Sequence, residues 1–81
     1  MLKKYKLEKK VTETEILHAW IKCMGAFVAG NTTKVICIND KVTIYLKSAV
    51  MRKEFSMEKE KLVDMLNEEL GSKLINEIDF K

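Results

Sequence analysis

The residues with the most chemistry to offer lie between Lys34 and Lys53, where Tyr45 stands among Lys34, Lys41 and Lys47 and is followed by Arg52 and Lys53. Single-stranded nucleic acid binders use this combination, since an aromatic ring stacks on a base while cations track the phosphates. A tyrosine covered by a flanking helix has the same composition, so a partly covered sheet surface is the competing reading. Arg52 and Lys53 follow Ser48, a natural N-cap, and a helix N-terminus attracts phosphate through its free backbone amides. The candidate nucleic-acid-binding set is therefore Lys34, Lys41, Tyr45, Lys47, Arg52 and Lys53. A second set, Glu60, Asp64 and Glu68, recurs every four residues. Like charges at that spacing on a helix cost about 0.2–0.5 kcal/mol per pair, so helix stability does not explain them. They form either a solvated face partly neutralised by Lys61 or a docking surface for a basic partner protein.

Catalytic chemistry is poorly provided for. His18 is the one histidine, and without an orienting partner in sight it reads as a surface or boundary residue. There is no phosphate-binding glycine loop, no HExxH and no calcium loop, and Gly25 and Gly30 have the wrong spacing for the first of these. Cys23 and Cys37 lack the close pairing of a redox or zinc motif and read as reduced core residues. The expectation is a protein that is not an enzyme and uses neither cofactor nor metal.

The element that must position Tyr45 is a β-hairpin from Lys34 to Lys47. Val42, Ile44 and Leu46 alternate with Thr43, Tyr45 and Lys47, and Val35 to Ile38 is a second β-branched run. Asn39-Asp40 separates the two runs, and a two-residue turn there calls for positive φ at both central residues, which Asn and Asp tolerate. That turn pairs Ile38 with Lys41 and, in step, Cys37 with Val42, Ile36 with Thr43, Val35 with Ile44 and Lys34 with Tyr45. Val35, Cys37, Val42, Ile44 and Leu46 then share an apolar core side. The other side carries Lys34, Ile36, Ile38, Lys41, Thr43, Tyr45 and Lys47.

Helices flank the hairpin. Thr12 and Glu15 form a capping-box signal, and Ile16, Leu17, Trp20, Ile21 and Met24 make an apolar stripe. Trp20 on that stripe reads as a core anchor. Gly25 and Gly30 break the pattern, leaving Ala26–Ala29 at most one further turn. Val50, Met51, Phe55, Leu62, Leu66 and Leu70 predict a second helix over 49–70, about 33 Å long, with a bend at Ser56. Gly71 ends it, and Leu74, Ile78 and Phe80 alternate with Ile75, Glu77 and Asp79 as a third strand. The order helix-strand-strand-helix-strand predicts an α+β fold, a three-stranded sheet packed on two helices.

Eighty-one residues, 47% hydrophobic and 33% charged, make one small domain that hides only about 60% of its unfolded surface. Residues 12–81 form that domain, and 1–11 a basic arm, frayed or truncated. No apolar run is long enough to span a membrane and no secretory signal is present, so a cytoplasmic protein is expected. The formal net charge of +3 is unevenly placed, with +4 over residues 1–10, +4 over 34–53 and −4 over 54–81. Such polarity suggests an anionic partner such as phosphate.

Taken in order, Trp20-Ile-Lys-Cys-Met-Gly25, Thr32-x-x-Val35-x-Cys37, the run Asn39 to Ser48, Leu66-Asn-Glu-Glu-Leu-Gly71 and the run Leu74 to Phe80 resemble the bacterial domain of unknown function 721, the DciA family. The resemblance covers residues 16–80. It implies a KH-like domain that binds DNA, single-stranded or forked, and acts on the replicative DNA helicase as a loader or operator without an ATPase of its own. The short single-domain form resembles the versions found in Bacteroidetes-type bacteria, and Asp40 stands where the family commonly has glycine. The Gly-x-x-Gly loop by which KH domains clamp a backbone is absent, so nucleic acid would have to be held by another surface. A second reading, from a different class, is a protein-interaction module whose sheet face is covered in a homo-oligomer through Ile36, Ile38 and Tyr45.

Overall fold

A computed structural model describes residues 11–81, and the basic arm expected over 1–11 lies, but for Val11, outside them. The described chain runs α1 (Glu13–Met24), α2 (Ala26–Asn31), β1 (Thr32–Ile38), β2 (Lys41–Leu46), α3 (Ala49–Ser56), α4 (Lys59–Leu70) and β3 (Glu77–Phe80). The fold is α+β. Its sheet has the order β1-β2-β3, antiparallel between β1 and β2 and parallel between β2 and β3. The hairpin register is the predicted one from Ile38↔Lys41 through Lys34↔Tyr45, with an irregularity between Thr32 and Lys34.

Local signals explain the element ends. The Thr12 hydroxyl accepts from the Glu15 amide at 3.1 Å while the Glu15 carboxylate accepts from the Thr12 amide at 3.0 Å, so the capping box that opens α1 is complete. Ser48 caps α3 by accepting from the Met51 amide at 3.2 Å. Gly71 closes α4 in the left-handed region at φ 85°, which costs a residue without Cβ nothing. The helix predicted over 49–70 is divided rather than bent: α3 ends at Ser56, and Met57 and Glu58 intervene before α4. The break turns α4 so that Leu62 and Leu66 are buried, and it leaves Val50 66% exposed, against the expectation that it joins the core stripe. At the hairpin turn only Asn39 has positive φ, at 59°. The geometry that needs positive φ at both central residues is therefore not adopted, and Asp40 carries no left-handed strain.

One face of the sheet carries the core. Val35, Val42, Ile44, Leu46, Ile78 and Phe80 are buried there against Ile16, Ala19 and Trp20 of α1 and Leu62 and Leu66 of α4. Ala19 replaces Leu17 and Ile21 at the centre of the α1 stripe, because the closest approach of a helix favours a small side chain; those two are only half-buried. Cys37 is on the predicted side but half-buried. Trp20, Phe55 and Phe80 form an aromatic trio with centroids 5.5–5.7 Å apart, which joins α1, α3 and β3. The indole N–H donates to the Thr32 hydroxyl at 3.0 Å, which in turn donates to the Val28 carbonyl at 2.8 Å, so the polar edge of Trp20 is satisfied.

The third strand is shorter than its alternation predicts, and Ile75, expected to alternate with the core side, is fully buried while Leu74 is half-buried. The cause is Asn67, a buried polar residue of α4. Its carbonyl oxygen accepts from the amides of Leu74 and Ile75 at 3.0 and 2.8 Å, and its amide donates to the Ile75 carbonyl at 2.8 Å. One side chain thus takes the place of a strand partner for this approach segment. Both outer edges of the sheet are guarded. The Glu13 carboxylate accepts from the outward amide of Cys37 on β1 at 3.0 Å, and Lys59 reaches past β3 to Asp79.

Candidate nucleic-acid interface

The helices pack on the face of Val35, Val42 and Ile44, so the opposite face is left without a helix among the described residues. Strand pairing arranges its side chains in three rows. At the turn end Ile38, Lys41 and Glu77 lie side by side; in the middle come Ile36, Thr43 and Asp79. At the far end Lys34 pairs with Tyr45, and Lys81 completes the row: its amide donates to the Ile44 carbonyl at 2.9 Å and its carbonyl accepts from the Leu46 amide at 2.9 Å, which carries the parallel ladder one residue past β3.

Tyr45 is half-buried, and the Lys34 ammonium lies 5.4 Å from its ring centroid, a cation–π pair across the hairpin. Lys47 is exposed just beyond β2, with its backbone amide donating to the Asn31 carbonyl at 2.8 Å. Arg52 is half-buried and turns back to donate from Nη1 to the Leu46 carbonyl at 2.9 Å, so part of its guanidinium is engaged in holding α3 to the end of β2. Lys53 is exposed on α3. Lys34, Tyr45, Lys47 and Arg52 are thus gathered at one end of the sheet. Lys41 is not among them. It stands at the turn end with Glu77 as its neighbour on β3.

Sequence reasoning missed Lys81 and the two carboxylates of β3. Each follows from the parallel register between β2 and β3, which sequence alternation alone does not give. Lys59 lies 3.0 Å from Asp79, and its hydrogen bond holds that carboxyl below the ordinary aspartate range, with Lys41 adding a weaker pull in the same direction.

Glu60, Asp64 and Glu68 are all exposed on α4. Glu60 and Asp64 border a groove of about 540 Å³ between α4 and the approach to β3, floored by Val63, Ile75 and Ile78 and rimmed also by Lys73 and Glu77. Asp64 and Glu68 border a second at the C-terminal end of α4. Neither groove is lined by Lys34, Tyr45, Lys47 or Arg52, so the stripe does not join the basic cluster.

A family model described as "Dna[CI] antecedent, DciA" matches residues 1–80, essentially the whole chain. The chain belongs to the DciA family. No curated protein and no solved structure is a match. Membership carries a helicase-loader-type role in general, and the DciA family is not a known family of enzymes. His18 is exposed beside Lys22 and Glu69 at the edge of α1. Burial pushes both cysteine thiols above their ordinary range, with Glu69 adding to the effect at Cys23 and Glu13 at Cys37. Neither is poised as a thiolate at neutral pH. Among the described residues no group of three His, Cys, Asp or Glu could hold a metal ion, and no helix is long and apolar enough to cross a membrane.

Proposed function

We propose that this chain is a non-enzymatic DNA-binding adaptor that binds the replicative DNA helicase in the cytoplasm and helps load or regulate it. Residues 12–81 act as a single KH-like unit, with 1–11 as a basic arm. The observation that carries the DNA-binding part is the Lys34–Tyr45 pair on a sheet face free of helices among the described residues. A base stacks on the ring while Lys34, Lys47, Arg52 and Lys53 neutralise phosphates of a single strand. The acidic stripe Glu60, Asp64 and Glu68 is the helicase-facing side. Because the stripe borders grooves that the basic cluster does not line, one small domain bridges both partners.

A binding protein without its own hydrolysis can act on a helicase only through differential affinity. It must hold the state that admits DNA more tightly than the closed state, and about 1–3 kcal/mol of preference shifts that equilibrium from several-fold to about a hundredfold. The test has two arms. Log affinity for a single-stranded oligonucleotide should fall with log salt at a slope of about −3, taking ~0.7 per neutralised phosphate. The protein should also comigrate with the helicase of the same organism on a sizing column and speed unwinding of a forked substrate. Charge reversal of Glu60, Asp64 and Glu68 should weaken comigration, whereas glutamine at the hairpin lysines should weaken only unwinding. Absence of DNA binding at low salt removes the DNA part, and failure to associate at tens of micromolar removes the helicase part.

The second reading, a protein-interaction module without functional nucleic-acid binding, is favoured by Ile38, which is 67% exposed on the same face as Ile36. It expects a salt-insensitive homodimer that Ile38→Lys dissociates.

A further inference from the structure

We infer that the bound single strand crosses the sheet at right angles to β1, β2 and β3, over the row Lys34, Tyr45 and Lys81, and leaves the Lys41 end of the same face unused. This rests on the DNA-binding reading above and goes beyond it by assigning a path and a residue, Lys81, that neither the sequence motifs nor the family membership indicates.

The open face is not uniformly basic. Two cations flank Tyr45 in its own row, Lys34 on β1 and Lys81 on the extension of β3, and both are exposed. Lys34 covers one side of the ring, which leaves the Lys81 side for a base. One row further toward the turn the β3 position is Asp79, and two rows further it is Glu77 beside Lys41. A strand following β2 from Tyr45 to Lys41, a span of about 13 Å at ~3.3 Å per residue, would carry its phosphates past both carboxylates. Lys59 pairs with Asp79, and Lys41, which also pulls on the Asp79 carboxylate, stands beside Glu77 across the strands, so the one cation at that end is shared between two carboxylates. A strand crossing the row meets positive charge at both ends, only about 10 Å apart at ~4.8 Å per strand spacing. Lys47 extends the same end of the sheet on β2. Such a path makes a short site, close to the lower limit of the ~4–16 nucleotides seen for single-strand-binding modules.

The experiment is fluorescence anisotropy of labelled oligothymidylates of increasing length with the full chain at low salt, repeated across a salt series. Lys34→Gln and Lys81→Gln should each weaken binding about three- to tenfold and flatten the salt slope by ~0.7. Lys81→Arg should restore both. Lys41→Gln should change affinity by less than about twofold, and affinity should stop rising with length once the oligomer covers the row. All three positions are exposed, and unchanged thermal midpoints keep the comparison free of folding effects. If the unaltered protein binds but Lys41→Gln is as damaging as Lys81→Gln, or Lys81→Gln is silent, the crossing path is wrong while the DNA-binding reading stands. If the unaltered protein does not bind at low salt, the parent reading is lost and this one with it.

Discussion

The two faces of this sheet are built from alternate residues of the same three strands, yet they obey different rules. On the helix side every strand position from Val35 to Phe80 that faces inward is apolar, and six of them are buried against helices. On the open side three lysines, two carboxylates, two isoleucines, a threonine and a tyrosine share nine positions without a common packing partner among the described residues. The first face is therefore held by overlapping contacts that make the fold, while the second can change composition at little cost to stability. Binding chemistry is expected on the face whose residues the fold does not need.

Substitution of the two aromatic residues that mark the faces gives the largest contrast. Trp20 is fully buried in the aromatic trio, and Trp20→Ala should cost about 3–5 kcal/mol, a large share of what a domain of this size has. Tyr45→Ala should cost less than about 1 kcal/mol in stability but about 1–3 kcal/mol in binding to a single strand. Urea unfolding and anisotropy measured on both variants check this. Equal stability losses would mean that the open face is covered in solution.

Asn67 sharpens the same comparison from the polar side. It is a buried polar residue on the helix side, and its three hydrogen bonds fix the segment that leads into β3. Asn67→Ala strands two amides and a carbonyl and should cost about 2–3 kcal/mol. Hydrogen exchange should then rise at Leu74 and Ile75 before it rises in the hairpin. A uniform rise instead would mean that β3 is not a separable unit.

Much of this was legible in the residues themselves. The hairpin register, the capping box, the Ser48 cap and the division of Lys34 to Lys47 into two faces all follow from short-range rules of period and turn length. What the sequence did not disclose depends on contacts between distant elements. Asn67 has no periodic signature, because its partners lie seven and eight residues on in a segment with no regular structure. Ile75 is buried out of phase with the strand alternation for the same reason. The third row member, Lys81, and the carboxylates Glu77 and Asp79 became site residues only when β3 was laid parallel to β2, a long-range pairing that local pattern leaves open. Lys41 shared the hairpin alternation with Tyr45 but lies at the opposite end of the strand, so alternation gave its face and not its place.

The smallest expected effect tests how the two faces are joined. Lys59 starts on the helix side and ends 3.0 Å from Asp79 on the open side. The Asp79 carboxyl is held below its ordinary range chiefly by the Lys59 hydrogen bond. A lowered folded-state value means that the pair stabilises above the unfolded aspartate value, about 3.9, and that this contribution fades as pH falls below roughly 4. Both side chains are partly exposed, at 42% and 31%, so the contribution at neutral pH should stay below about 1 kcal/mol. Urea unfolding of Asp79→Asn against the unaltered protein should show that small deficit at neutral pH in low salt, a smaller one in high salt, and none in strong acid. A deficit that persists unchanged in acid would mean that Asp79 acts through packing rather than charge. In that case Lys59 guards the edge of β3 by covering it, and the link between the faces is steric.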